Sequence, residues 1–164
     1  MTEVVVKTKL ELVLEKLQTL PHQQQQMLLK KFPKDEQEAI AAILDELNTR
    51  NLRTKVADDF MMFVNEMWPN FIHGRHHEKM ARAFERVARG ECKRLIINMP
   101  PRHTKSEFAS YLLPAWFFGK NPGKKIIQTS HTAELAVGFG RKVRNLVDSA
   151  NYKRIFPALD LQSD

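Results

Sequence analysis

One stretch constrains this chain more than any other. The apolar run Leu95-Ile96-Ile97, preceded by Lys93-Arg94, ends abruptly in "NMPPRHTKSE", and the pattern then turns helical through "KSEFASYLLPAWFF". A run of strand length, a turn stiffened by Pro100-Pro101 and a helix opening at Lys105-Ser106 form a strand–turn–helix unit. The expected strand covers 94–98, the turn 99–104 and the helix about 105–118, interrupted or kinked at Pro114.

That context suits a phosphate-binding loop. Such a loop cradles phosphates with backbone N–H groups, reaches the terminal phosphates with a lysine and holds magnesium with Ser or Thr. The helix N-terminus adds its positive dipole end. Here Lys105 and Ser106 come in the required order. The glycine positions of G-x-x-x-x-G-K-[ST] fall on Met99 and Thr104, so the motif taken alone is weak. The two prolines carry no N–H, which leaves residues 102–106 to form the cradle. Arg102 adds a cation within the loop. His103 either lines the site or faces solvent, the second being the ordinary place for a loop histidine. Thr104 is β-branched and disfavours positive φ. If the position needs left-handed backbone or close phosphate approach, affinity suffers.

The rest of the chain divides by pattern. Residues 8–50 read as helical: Leu10, Leu14 and Leu17 share a face, Pro21 interrupts, and Pro33-Lys34-Asp35-Glu36 starts a helix whose stripe is Ile40, Ile43, Leu44 and Leu47. No catalytic constellation lies there, and docking or packing is the expected role. A helix over 57–70 has Asp58 or Asp59 near its start, Phe60, Phe63, Val64 and Met67 on one face, and Pro69 at its end. Another, about 77–89, carries Met80, Phe84, Val87 and Ala88 inward, with Gly90 as its C-terminal cap. "KIIQTS" reads as a second strand and "TAELAVGFGRKVRNLVDSA" as a second crossover helix, with Leu135, Phe139, Val143 and Leu146 near one face. Strand, helix, strand, helix in that order predicts a parallel sheet. Two parts are expected: a helical appendage over 1–56 and an α/β part over 57–164.

Charge is uneven. Residues 73–105 carry 9 basic side chains against 3 acidic ones, whereas residues 1–72 carry 9 against 11. A positive field concentrated before and within the loop suits nucleotide phosphates, DNA or both, with a solvated helix face as the plain alternative. The single cysteine, Cys92, excludes an internal disulfide and a Cys-rich zinc site. No apolar run approaches transmembrane length and the N-terminal residues do not read as a signal peptide, so a soluble intracellular protein with no membrane partner is expected.

The combined block is more specific than its parts. "RLIINMPPRHTKSEFASYLLPAWFFGKNPGKKIIQTSHTAELAVGFGRKVRNLVDSANYKRIFP", with "HHEKMARAFERVARGE" before it, resembles the ATPase region of large terminase subunits, the DNA-packaging motors of tailed bacteriophages. The shared elements are the P-P-R-H-G-K-S-E type of loop, an aromatic P-A-W-[FY] stretch, a G-x-N-P turn, an A-E-L-A…F-x-R-x-V-R helix and an [FY]-x-x-[IL]-F-P close. The resemblance spans roughly residues 57–157. Its clear departure is Thr104, where that family commonly has glycine.

The resemblance implies an α/β fold: an incomplete parallel P-loop NTPase sheet of RecA/ASCE type with crossover helices, behind the helical appendage. It implies ATP and Mg²⁺ as ligands, Lys105 on the β- and γ-phosphates, Ser106 on Mg²⁺, and Arg102 on the γ-phosphate as the catalytic arginine. His103 and Thr104 belong to the same loop, and Phe71, His76 and His77 fall where related motors contact adenine. For the paired histidines, helix caps and surface positions are equal alternatives, and His-His-Glu is a poor zinc set. Ser130 and His131 would sit at the nucleotide edge of the sheet. Trp116, Phe117 and Phe118 read as core. Arg141, Lys142 and Arg144 have two equal readings, a DNA-facing row and a solvated face. The implied partners are double-stranded DNA, the portal protein, the small terminase subunit and sister subunits of a ring, in the host cytoplasm. The acidic motif and nuclease domain of that family are expected beyond residue 164, so the chain is expected to bind ATP without hydrolysing it alone. The alternatives are a non-catalytic binding module and a piece of another P-loop ATPase such as a helicase.

Overall fold

The computed structural model describes residues 16–17 and 19–159; the expected face of Leu10 and Leu14 lies outside them. The described chain is built of helices: α1 His22–Leu29, α2 Lys34–Asp58, α3 Phe60–Met67, α4 Arg75–Ala88, a π-helical segment Glu107–Leu112 that runs into α5 Leu113–Lys120, α6 Ala133–Asp148 and α7 Ala150–Ile155. Among the described residues no helix is long and apolar enough to cross a membrane. The backbone divides into two compact units, one through Asn51 and one from Leu52 onward.

In the first unit, Leu17, Ile40 and Leu44 are buried, with Leu28, Leu29 and Phe32 packed on them. Gln25 Nε2 donates to the carbonyls of Leu17 and Leu20, at 2.8 and 2.9 Å, and Gln37 Nε2 to that of Phe32 at 2.6 Å. These amides satisfy carbonyls at the turns flanking α1, where helical partners run out.

The second unit is organised around Phe60. Asp59 caps α3 by accepting from the Met62 N–H at 2.9 Å, and the Phe60 N–H donates to Glu85 Oε1 at 3.1 Å. The Phe60 ring then meets Phe84, Phe108 and Trp116 edge-on at centroid distances of 5.4, 5.7 and 5.4 Å, the arrangement ring quadrupoles favour. Buried polar groups on these rings have partners: Trp116 Nε1 donates to the Val56 carbonyl at 2.9 Å and the Tyr152 hydroxyl to that of Ala115 at 2.7 Å. Gly119 lies under the Phe156 ring, where a Cβ would come within 2.5 Å of it. The stripe of α4 buries Met80, Ala81 and Phe84. In α6 the buried residues are Val143, Leu146 and Val147, while Leu135 is exposed, so the inward face begins later than the sequence pattern suggests.

The expected parallel sheet is not there. No strand forms among the described residues; 94–98 and 125–129 run as irregular chain. Ile97 packs on the core, but Ile96 is 85% and Ile127 92% exposed. Strand-like composition is a local property, whereas a strand needs a neighbour to complete its ladder and, in a parallel sheet, cover on both faces. Neither run has that here. The α/β, RecA/ASCE-like reading is therefore corrected to a helical one, and Ser130 and His131 have no sheet edge to occupy.

The helix after the loop is shaped by Pro114. Proline supplies no N–H to the Ser110 carbonyl four residues back. Two features accommodate this. The turn before it widens to π-type bonding, with the Leu113 N–H reaching the Phe108 carbonyl. The Ser110 carbonyl accepts instead from Gln128 Nε2, at 3.0 Å.

Candidate phosphate-binding loop

The loop between the 94–99 segment and the helix that starts at Lys105 contains two left-handed residues. Arg102 has φ 62° and Thr104 φ 58°. Left-handed residues interleaved with others are the backbone type from which anion-holding nests of N–H groups are made. The Phe108 N–H donates to the Thr104 carbonyl at 2.9 Å, so helical bonding begins at once after the second left-handed residue. The missing glycine now has a geometric meaning: position 104 adopts the conformation that favours glycine and carries a β-branched side chain there.

His77 explains how it does so. Its ring is buried on α4 between Phe71, at 4.7 Å between centroids, and Phe108, at 5.0 Å. His77 Nδ1 accepts from the Gly74 N–H at 3.0 Å. The proton of the neutral ring is thereby placed on Nε2, which donates to Thr104 Oγ1 at 2.6 Å. Thr104 Oγ1 in turn donates to the His103 carbonyl at 2.7 Å. Burial, and then the charges of His76, His73 and His103 when these are protonated, lower the His77 pKa from 6.5 to about 4. The ring is neutral near pH 7, as this bonding pattern requires.

The other expected residues are placed as follows. Among the described residues, Arg102 and Lys105 form no ion pair; Arg102 is exposed, Lys105 half-buried and Ser106 exposed at the first helical turn. Two cations and a hydroxyl thus surround the loop, with no ion-pair partner for either cation among the described residues. His103 Nδ1 donates to the Pro101 carbonyl at 2.9 Å, bracing the loop from within. The His76 ring packs against that of His77, tilted by 46° at 3.8 Å between centroids, and lies 5.8 Å from that of His103. Among the described residues no group of three His, Cys, Asp or Glu side chains is placed to hold a metal ion. A cleft of about 280 Å³ adjoins Thr104, lined by Trp68, Asn70, Phe71, Ile72 and His77. Ser130 and His131 instead precede α6; His131 lines a groove with Glu134, Arg141 and Lys142 that does not include the loop. Lys142 is tied to Glu107 at 2.9 Å, and Arg144 is exposed.

Sequence reasoning overlooked the bond between His77 and Thr104. The available signal was a glycine three residues before a helix-start histidine, together with a hydroxyl residue where a phosphate loop takes glycine. Compared with protein-family models, with curated proteins and with solved structures, the chain shows no match.

Proposed function

We propose that residues 102–106 bind the phosphates of ATP with Mg²⁺, and that the chain acts as the front part of a DNA-packaging ATPase of the terminase type. The observation that carries this reading is the loop itself: two left-handed residues, Arg102 and Thr104, just before a helix start, with the Arg102 and Lys105 cations lacking an ion-pair partner among the described residues. Lys105 neutralises the β- and γ-phosphates, Arg102 reaches the γ-phosphate, and the Ser106 hydroxyl is a suitable hard oxygen donor for Mg²⁺, whose remaining ligands come from phosphate and water. The aromatic cleft beside Thr104 offers Trp68 and Phe71 to the flat base, with His77 lining the same cleft and its Nε2 on the Thr104 hydroxyl.

Hydrolysis requires a carboxylate that positions water. Glu107, next to Ser106, is held by Lys142 at 2.9 Å, so the loop is assigned binding rather than turnover by itself. Arg75, Lys79, Arg82 and Arg86 of α4 and Arg89 just after it are exposed at spacings that place them in one row, Arg86 and Arg89 sharing Glu91 at 3.8 and 2.7 Å, and this row supplies the cationic surface for double-stranded DNA. Portal protein, small subunit and ring neighbours belong to the same proposal through the resemblance alone.

Titration with a fluorescent ATP analogue and Mg²⁺ tests the reading. Lys105→Ala is expected to weaken binding by about tenfold or more, the loss of one charge-assisted contact. Equal binding by wild type and variant overturns it.

A further inference from the structure

The structure assigns His77 as a positioning residue of the 102–106 loop: its Nε2–H holds the Thr104 hydroxyl and thereby fixes Thr104 in the left-handed conformation that glycine would adopt unaided. That this conformation serves phosphate binding rests on the function proposed above; the latch itself does not.

Three observations converge on it. Thr104 has φ 58°, a value β-branched residues avoid. Such conformations persist where the surroundings over-determine them, and the Thr104 hydroxyl is engaged on both sides, by His77 at 2.6 Å and by the His103 carbonyl at 2.7 Å. The donor is itself fixed, because the Gly74 N–H occupies Nδ1 and Phe71 and Phe108 flank the ring. The chain of contacts runs Gly74 N–H, His77, Thr104 hydroxyl, His103 carbonyl, and joins the start of α4 to the loop. Thr104 and His77 thus form a unit that replaces a glycine, exchanging conformational freedom for a bond.

The decisive measurements need no nucleotide. In a ¹H–¹⁵N spectrum of the histidine rings, His77 is expected to show a bare Nδ1 and a protonated Nε2 in the wild type, and a mixture of tautomers or a shifted Nε2 in Thr104→Val, which keeps the branch and removes the hydroxyl. In chemical denaturation, His77→Gln and Thr104→Gly are expected to be non-additive, His77→Gln costing clearly less in the Thr104→Gly background. An unchanged His77 ring spectrum in Thr104→Val, or strict additivity of the pair, overturns the latch.

Nucleotide affinity then separates the two claims. Thr104→Val is expected to lose about tenfold in binding of the ATP analogue, the worth of one well-placed hydrogen bond, with Thr104→Ser close to wild type and Thr104→Gly at or above it. Wild-type protein that binds no nucleotide, yet shows the tautomer and the coupling, refutes the phosphate reading and leaves the latch standing. A loss in Thr104→Gly equal to that in Thr104→Val refutes the glycine-equivalence of the pair.

Discussion

The neutral state of His77 gives stability a specific dependence on pH. The folded pKa is lowered to about 4 from 6.5. Between those values the unfolded chain takes up a proton that the folded chain refuses, so stability rises with pH across the window and is lost as pH falls through it. At about 1.4 kcal/mol per pH unit, the loss from pH 7 to pH 4 attributable to this ring is at most about 3 kcal/mol. Urea denaturation at a series of pH values checks this; in His77→Gln that part of the slope should disappear. Residue-scale roles were unevenly legible. An acid at the start of α3, left between Asp58 and Asp59, and Met80 and Phe84 as core were legible from composition and spacing, because helical periodicity decides which side chains turn inward; that Asp59 is the cap came from the structure. The bond from His77 to Thr104 was not legible, because the two residues are far apart in sequence and meet only when α4 packs against the loop.

At the scale of elements, the contrast lies between helices, whose hydrogen bonds are internal, and strands, whose bonds are with something else. The helices expected over 57–70 and about 77–89 formed as Phe60–Met67 and Arg75–Ala88, with Phe60, Phe63, Val64, Met80 and Phe84 buried and Met67, Val87 and Ala88 only half-buried. Leu95-Ile96-Ile97 and Ile126-Ile127 had the right composition and no ladder, so the sheet inferred from their order did not follow. The proline kink was legible; its remedy was not, since it borrows Gln128 from a different segment. Gln128→Ala is expected to lower stability by about 1 kcal/mol, the usual net worth of a hydrogen bond. In a Pro114→Ala background, which restores an N–H at that position, the same change should cost distinctly less. Denaturant midpoints of the four proteins test the coupling, and equal costs in both backgrounds would remove the proposed link between proline and glutamine.

Across the whole molecule, positive charge and the candidate site share one region. The cationic row of α4 and the loop cations lie within residues 75–105, while residues 1–72 have a small acidic excess. This asymmetry was legible without any fold, because charge counts do not depend on pairing, and the helical reading of the second unit leaves it intact. The two tryptophans stand in contrasting places. Trp116 is wholly buried against Phe60 and bonded to Val56, whereas Trp68 is half-buried and lines the cleft beside Thr104. The chain therefore carries two intrinsic optical reporters with separate duties. Saturation with the nucleotide should alter the emission of Trp68 and leave that of Trp116 unchanged, while unfolding should shift Trp116 to the red. A Trp68→Phe variant should be optically silent toward nucleotide, yet still follow denaturation, so occupancy and integrity can be read from one unlabelled sample.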